Sequence, residues 1–487
     1  MPQVKNIQSN LFINNQFVPA VSGKTFEVLN PATEEVIANV AEADSADVEL
    51  AVKASREAFN KFRLTDGSER RQLLTKLADL LHADREEMAA LECMDNGKPY
   101  CEALGDVDFS ESVIRYFAGY ADKMSGRLLP ASGNVVSMLR RQPVGVCGQI
   151  VPWNFPLVMI SWKLPVAVAA GNTVIMKPAE QTPLTALRIG ELCEKAGFPP
   201  GVVNILPGFG PTAGSALCLH KDVNRIAFTG SGEVGREVLR MSAKNNLKRV
   251  SLELGGKSAL IVCADADMNK AVSLARIGAF ANSGQFCSAS SRIFVHESLY
   301  DTFVEKLKHC VEGHRVGPGN DPETTMGPLI SKEQLERVMR YIEIGKKEGA
   351  TLLTGGTRID GKGYFLKPTV FTDAKDDMVI CKEEIFGPVT CVMKFKDIDE
   401  VIQRANASGY GLAAGLCTES MDTALRCSTF LEAGTVWVNT WHSYDPALPF
   451  GGVKQSGYGR EGGIESLESY TEAKTVSISL NGPLVKN

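Results

Sequence analysis

The chain has 487 residues, 44% hydrophobic and 22% charged, with 52 Lys and Arg against 57 Asp and Glu. A net charge of -5 without any block of like charge argues against a nucleic-acid partner or an anionic membrane surface. This length suits two or three domains that bury about three-quarters of the unfolded chain's surface, so no disulfide staples are required.

Residues 1–20 lack a basic, apolar leader pattern and contain no arginine, so neither a secretory nor a transit peptide is expected. Residues 45–62 repeat apolar positions at helical spacing, and 67–96 continue with at least one more amphipathic helix. Residues 157–176 are nearly all apolar, but Lys163, Pro165 and Gly171 interrupt them. A buried helix and then a buried strand are expected there, not a membrane span. Residues 172–177 are that strand. Thr182–Pro183 offers a cap and a first-turn proline for a helix to Ala196, and Gly197 ends it. Strands follow at 202–206, 225–230, 249–254, 258–263 and 291–296, with helices at 233–244, 266–283 and 298–312. The alternation runs on from about 330 to 440. Strands alternating with helices mean βαβ units and mainly parallel sheets. No linker of biased composition separates them, so the domains are expected to interleave.

Twelve Cys contain no C-x-x-C, and the closest two in sequence are Cys93 and Cys101. Reduced thiols in a cytosolic protein are expected, most of them packing as small hydrophobes. Residues 230–235 match G-x-G-x-x-G after a strand and before a helix, and Glu253 follows about 20 positions on, where a ribose-binding acid belongs. Taken alone, that pattern also fits a glycine-rich turn that binds nothing. Cys287 lies in a loop of Gly, Ser and Gln between a helix and a strand, unlike a packing cysteine. A nucleophilic role would require a nearby base or a lowered pKa. No His lies close in sequence, and His296 and His442 read as surface or core residues.

Glu253-Leu254-Gly255-Gly256-Lys257-Ser258 and Gly284-Gln285-Phe286-Cys287 resemble the two active-site signatures of the NAD(P)-dependent aldehyde dehydrogenase superfamily, with acid and thiol 34 residues apart. Further matches are Pro152-Trp153-Asn154-Phe155-Pro156, Lys177-Pro178-Ala179-Glu180, Phe228-Thr229-Gly230-Ser231, Glu384-Ile385-Phe386-Gly387-Pro388 and Pro449-Phe450-Gly451-Gly452. The resemblance implies an α/β fold with a Rossmann-type cofactor domain, an α/β catalytic domain and a β-hairpin oligomerisation element. It assigns 1–122 and 144–255 to the first, 256–455 to the second, and 123–143 with 471–487 to the third. Residues 456–470 would return to the cofactor domain.

It also implies roles. Cys287 would attack the aldehyde carbonyl, with the Asn154 amide and the Cys287 N–H holding the oxyanion. Glu253 would activate the water that hydrolyses the thioester, which moves it from ribose partner to base. The cofactor would be NAD rather than NADP. Gly230, Ser231 and the helix through Val234 would face the pyrophosphate, near Trp153, Ile150 and Phe228. Lys177 and Glu180 would bond the adenine ribose, a carboxylate there repelling a 2′-phosphate. Gly210 and Gly214 would let a helix approach the adenine. Glu384, Gln334 and Phe386 would meet the nicotinamide riboside, with Leu254 and Gly255 beside it. No metal site is implied.

Phe155, Met159, Trp162, Phe286, Trp441 and Tyr444 are expected to line the aldehyde tunnel, which suits an apolar or aromatic aldehyde. Asp445-Pro446 resembles phenylacetaldehyde-type members. The same aromatics could hold a quaternary ammonium group, so a betaine-type aldehyde is the alternative. A catalytically silent, crystallin-like member and a CoA-acylating member are the other readings. The alternating strand at 471–480 would be an open edge in a monomer, so a homodimer or homotetramer is expected.

Overall fold

The computed structural model describes residues 1–480; the end of the expected oligomerisation element, 481–487, lies outside the described residues. Val146–Ile150, Thr173–Lys177 and Arg225–Thr229 are buried at every position. Unbroken burial of this kind belongs to a parallel sheet covered on both faces. These strands form the middle of an eight-stranded sheet, in the order Gln16–Val18, Leu11–Ile13, Val203–Ile205, Thr173–Lys177, Val146–Ile150, Arg225–Thr229, Arg249–Glu253 and Gly457–Tyr458. The five from Val203–Ile205 to Arg249–Glu253 are parallel; the outer strands are antiparallel. From Val146–Ile150 the chain winds outward on one side, then returns to the other at Arg225–Thr229. The strand order reverses there, which opens a crevice at the carboxyl ends of the strands.

A seven-stranded sheet runs Thr351–Thr354, Thr369–Thr372, Val389–Phe395, Arg292–His296, Ala259–Val262, Ala413–Cys417, Thr435–Val438. Only Thr351–Thr354 is antiparallel in it. The α/β architecture with mainly parallel sheets is thus as expected. A third sheet joins Thr471–Ser479, Val135–Pro143 and Arg127–Leu129, with the first two antiparallel over nine residues. The strand expected as an open edge therefore has a partner in its own chain along one side.

All 14 residues of helix Pro156–Ala169 are buried, Lys163 among them. Two expectations differ in detail. The helix expected from Thr182 starts at Leu184, and Thr182 does not cap it. Asp95 Oδ2, from a distant helix, accepts the Leu184 N–H at 2.9 Å instead. The helix expected over 266–283 ends at Phe280, and a tight turn over Ala281–Gly284 follows. Asn282, Ser283 and Gly284 hold φ of 45°, 57° and 68°. A side chain at Gly284 would run into the Gly387 carbonyl. Apolar periodicity continues through Ala281, so spacing alone cannot see this reversal.

The borrowed cap generates a stability prediction. Asp95→Ala should lower stability by about 1–2 kcal/mol, through the lost acceptor at the helix start. Asp95→Asn, which keeps an acceptor oxygen, should retain most of it, as read by thermal unfolding.

Candidate active site

A cavity of about 210 Å³ lies in the crevice, lined by Trp153, Asn154, Met159, Gly230, Ser231, Glu253, Leu254, Gly255, Cys287, Gln334, Glu384 and Phe386 among others. Asn154 comes from the loop after strand Val146–Ile150, and Glu253 ends its own strand. Cys287 follows the left-handed turn. Asn154 is buried, and its Nδ2 donates to Gln285 O at 3.0 Å. One amide hydrogen thus remains for another acceptor. The Asn154 carbonyl accepts from Asn282 Nδ2 at 2.8 Å and Asn96 Nδ2 at 3.3 Å.

Glu253 is buried, and neither carboxylate oxygen completes a hydrogen bond. Burial first, then the neighbouring Glu461 carboxylate, lifts its pKa well above the usual range. Lys163, Arg460 and the Gly452 amide oppose the shift. Lys163 Nζ is itself buried and ion-paired to Glu461 Oε1 at 2.5 Å. Burial, with Glu384 and Glu253 nearby, pushes the Cys287 thiol up to about 12, partly offset by the Cys287 and Ser288 N–H groups. Glu384 is raised to about 7 by burial, and its Oε1 accepts the Gly256 N–H at 2.9 Å. Any side chain at Gly255 would occupy the place of the Glu384 carboxylate. Phe386 stands edge-on to Trp153 at 5.2 Å, and its carbonyl accepts from Gln334 Nε2 at 2.6 Å.

Other sequence-selected residues sit around this centre. Lys177 Nζ donates to Gly208 O at 2.6 Å and Pro178 O at 2.9 Å, with Glu180 Oε2 at 3.3 Å. Gly214 lies against the Lys177 side chain, and Gly210 opens that turn. These residues form a separate group off the 210 Å³ cavity. Ile150 is buried at its strand end, and the Phe228 ring packs beneath Gly230. Ser231 Oγ caps the following helix, accepting the N–H of exposed Val234 at 3.3 Å.

Trp162 and Tyr444 line a second cavity of about 370 Å³, together with Trp437 and Phe450. The Tyr444 hydroxyl is 2.7 Å from Ser288 Oγ, beside the thiol residue. Phe155 lies under the Lys98 ammonium, and Phe286 packs edge-on to His442 at 4.4 Å. Trp441 departs from the expected lining: it packs into the core beneath Gly278 and Gly415, where strand and helix approach closely.

The aldehyde dehydrogenase family model matches residues 17–476. The chain belongs to the aldehyde dehydrogenase family. It is 63% identical to a mitochondrial aldehyde dehydrogenase of Leishmania tarentolae, over 98% of this chain and 96% of that one. The NAD+ complex of an aldehyde dehydrogenase from Bacillus cereus superposes with a TM-score of 0.96 at 51% identity, covering 97% of each chain. A betaine aldehyde dehydrogenase from Staphylococcus aureus, also in complex with NAD+, superposes equally well at 0.96, covering 99% of each chain. It is only 39% identical, so the betaine-type alternative is not favoured. Among the described residues, no helix of this aldehyde dehydrogenase is long and apolar enough to cross a membrane.

Several residues around the site escaped the motif reading. Arg337 lines the cavity and donates to the Glu384 carbonyl at 3.0 Å. Glu461 and Lys163 flank Glu253 from segments remote in sequence. Lys163 did carry a signal, because a charge inside an apolar helix must find a partner. Asn96 and Asn282 carried none.

Since the Glu384 carboxylate helps hold the thiol up, Glu384→Gln should lower the Cys287 pKa. At a fixed, mildly alkaline pH, iodoacetamide should then label Cys287 several-fold faster than in the unmodified enzyme, as followed by mass spectrometry.

Proposed function

We propose that this aldehyde dehydrogenase oxidises an aldehyde to its acid with NAD, through a covalent intermediate on Cys287. The supporting observation is the convergence of a thiol, an amide with a spare hydrogen and an unbonded buried carboxylate on one cavity. Cys287 Sγ, its proton passing to solvent, attacks the aldehyde carbon, and the oxygen that becomes negative meets Asn154 Nδ2 and the Cys287 N–H. These donors are neutral and fixed before reaction. A bound NAD supplies the hydride acceptor and, in its oxidised form, a cationic ring that offsets the acids around the thiol. The thioester left on Cys287 is hydrolysed by water whose proton passes to Glu253. A raised carboxylate pKa suits this task, since a base works best when its pKa approaches the working pH. Glu461, paired with Lys163, adds negative charge beside Glu253 and so favours proton uptake there.

Several features support a fit to the cofactor. The helix start at Ser231 fronts the cavity at the point where strand order reverses, as anionic phosphates prefer. Glu384, raised to about 7 and seated over Gly255, has an oxygen available to a ribose. Glu180, tied to Lys177 at 3.3 Å, would accept from an adenine-ribose hydroxyl and repel a phosphate, which favours NAD over NADP. Trp162, Trp437, Tyr444 and Phe450 around the 370 Å³ cavity favour an apolar or aromatic aldehyde. We divide the chain as the resemblance implies, and read the three-stranded sheet, with Leu128 and Ile478 exposed, as the homodimer or homotetramer contact. Twelve free thiols fit a reducing compartment such as the cytosol.

The test is NADH formation from a panel of short aliphatic, long aliphatic, phenylacetaldehyde and betaine substrates, with NAD and NADP run separately. Cys287→Ser should abolish turnover. Glu253→Gln should release a burst of NADH about equal to the enzyme present and then slow by about 100-fold or more, as expected for loss of a general base. An unchanged steady rate would remove Glu253 as the base, and a product altered by CoA would mark an acylating enzyme instead. No NADH from any aldehyde, with NAD still bound, would leave the silent-member reading.

A further inference from the structure

Beneath the cavity lies a charged cluster that the reaction does not use. Lys98, Glu102 and Asp106 recur at steps of four residues, so the two acids share one face of helix Tyr100–Tyr120 and look back toward Lys98. Lys98 Nζ is fully buried, 2.5 Å from Asp106 Oδ2 and 3.4 Å from Glu92 Oε1. Glu92 is also fully buried, whereas Glu102 and Asp106 are half-buried. One cation thus faces three carboxylates. Arg276 also faces Glu102, and Asp95 faces Glu92. A buried arrangement of this kind costs solvation and is weak evidence for stability.

Three of the four members point at the machinery above, and Asp106 holds Lys98 among them. The Lys98 ammonium sits 4.3 Å from the centre of the Phe155 ring, next in sequence to Asn154. Glu92 faces the Leu157 N–H at the start of helix Pro156–Ala169, just past that loop. Glu102 faces the N–H of Asn282, in the strained turn that leads to Cys287. Two residues before Lys98, Asn96 Nδ2 donates to the Trp153 carbonyl at 2.8 Å. The cluster therefore touches both chain segments whose spacing sets the distance between oxyanion donor and thiol, and its ion pairs and ring contact do not extend to Lys177, Ser231 or Glu384.

We propose that Lys98, with Glu92, Glu102 and Asp106, is a positioning residue that keeps the Asn154 loop in register with the Cys287 turn. This inference rests on the covalent reading above. Without the cation, Phe155 loses its partner and the acids repel, so the loop and the turn are free to drift apart. A displacement near 1 Å at such a site costs about 100-fold in rate.

The experiment uses the full-length enzyme with its best aldehyde and NAD. Lys98→Met, close in length and without charge, should lower kcat by about 10- to 100-fold. Cofactor affinity, read by tryptophan fluorescence, and the rate of Cys287 alkylation by iodoacetamide, which forms no oxyanion, should stay within about twofold. Asp106→Asn, half-buried and isosteric, should show the same split more weakly, and carries the test alone if Lys98→Met does not fold. A folded variant with kcat within about twofold of the parent would overturn the proposal. So would a loss in which kcat, cofactor affinity and alkylation fall together, the mark of general loosening. An unmodified enzyme that made no NADH from any aldehyde would instead sink the covalent reading.

Discussion

Burial governs this site, and negative charge crowded into the desolvated space adds to it. Glu384 and Glu253 raise the proton affinity of the Cys287 thiol, and Glu461 raises that of Glu253. In the low dielectric of a buried crevice such repulsion is felt strongly. The free protein thus holds the Cys287 thiol up at about 12 and shifts the Glu253 carboxyl well above the usual range. A thiol kept protonated is inert toward stray electrophiles and oxidants. Lys163 belongs to the same balance: its pairing with Glu461 limits the charge that Glu253 faces.

The crowding is possible because backbone replaces side chain where the two large sheets meet. Gly255 leaves room for the Glu384 carboxylate, and Gly256 lies against the carbonyl of Cys287. The base strand and the thiol loop therefore touch main chain to main chain. The left-handed turn at 282–284 serves the same end, as it swings the thiol from the end of a helix back over the strand. Its cost in backbone strain is offset by hydrogen bonds from Asn282 Nδ2 to Asn154 O at 2.8 Å and from Ser283 Oγ to Gly327 O at 2.8 Å.

Much of this could be read from sequence, for identifiable reasons. Buried strands such as Thr173–Lys177 announce themselves because parallel sheets want unbroken apolar runs, and Gly197 marks a helix end because its φ of +87° suits glycine. Cys287, Glu253 and Asn154, which the fold brings to one cavity, could be singled out because each lies in a short local motif. What stayed hidden is non-local. Asp95 caps a helix 89 residues away, and Glu461 reaches Glu253 through a strand that returns to the first sheet from the far end of the chain. Trp441 shows the opposite failure: an aromatic in the right loop whose ring is claimed by two glycines of the core.

That returning strand has a consequence for synthesis. Gly457–Tyr458 completes the sheet on the outer side of the strand that carries Glu253. Tyr470, a few residues on, is gripped from three sides: Asn172 donates to its carbonyl, Gln149 to its hydroxyl, and Arg225 lies over its ring. All three grips come from the first sheet or its borders. A ribosome delivers these elements after every other strand of that sheet, so the sheet begun near residue 11 cannot close until residue 458 has emerged. Cys287 is translated long before that, and Glu253 gains its Glu461–Lys163 neighbour only once this segment has emerged. Synthesis of the segment 457–470 is thereby coupled to completion of the surroundings of Glu253, and a chain cut before it would carry Cys287 without them.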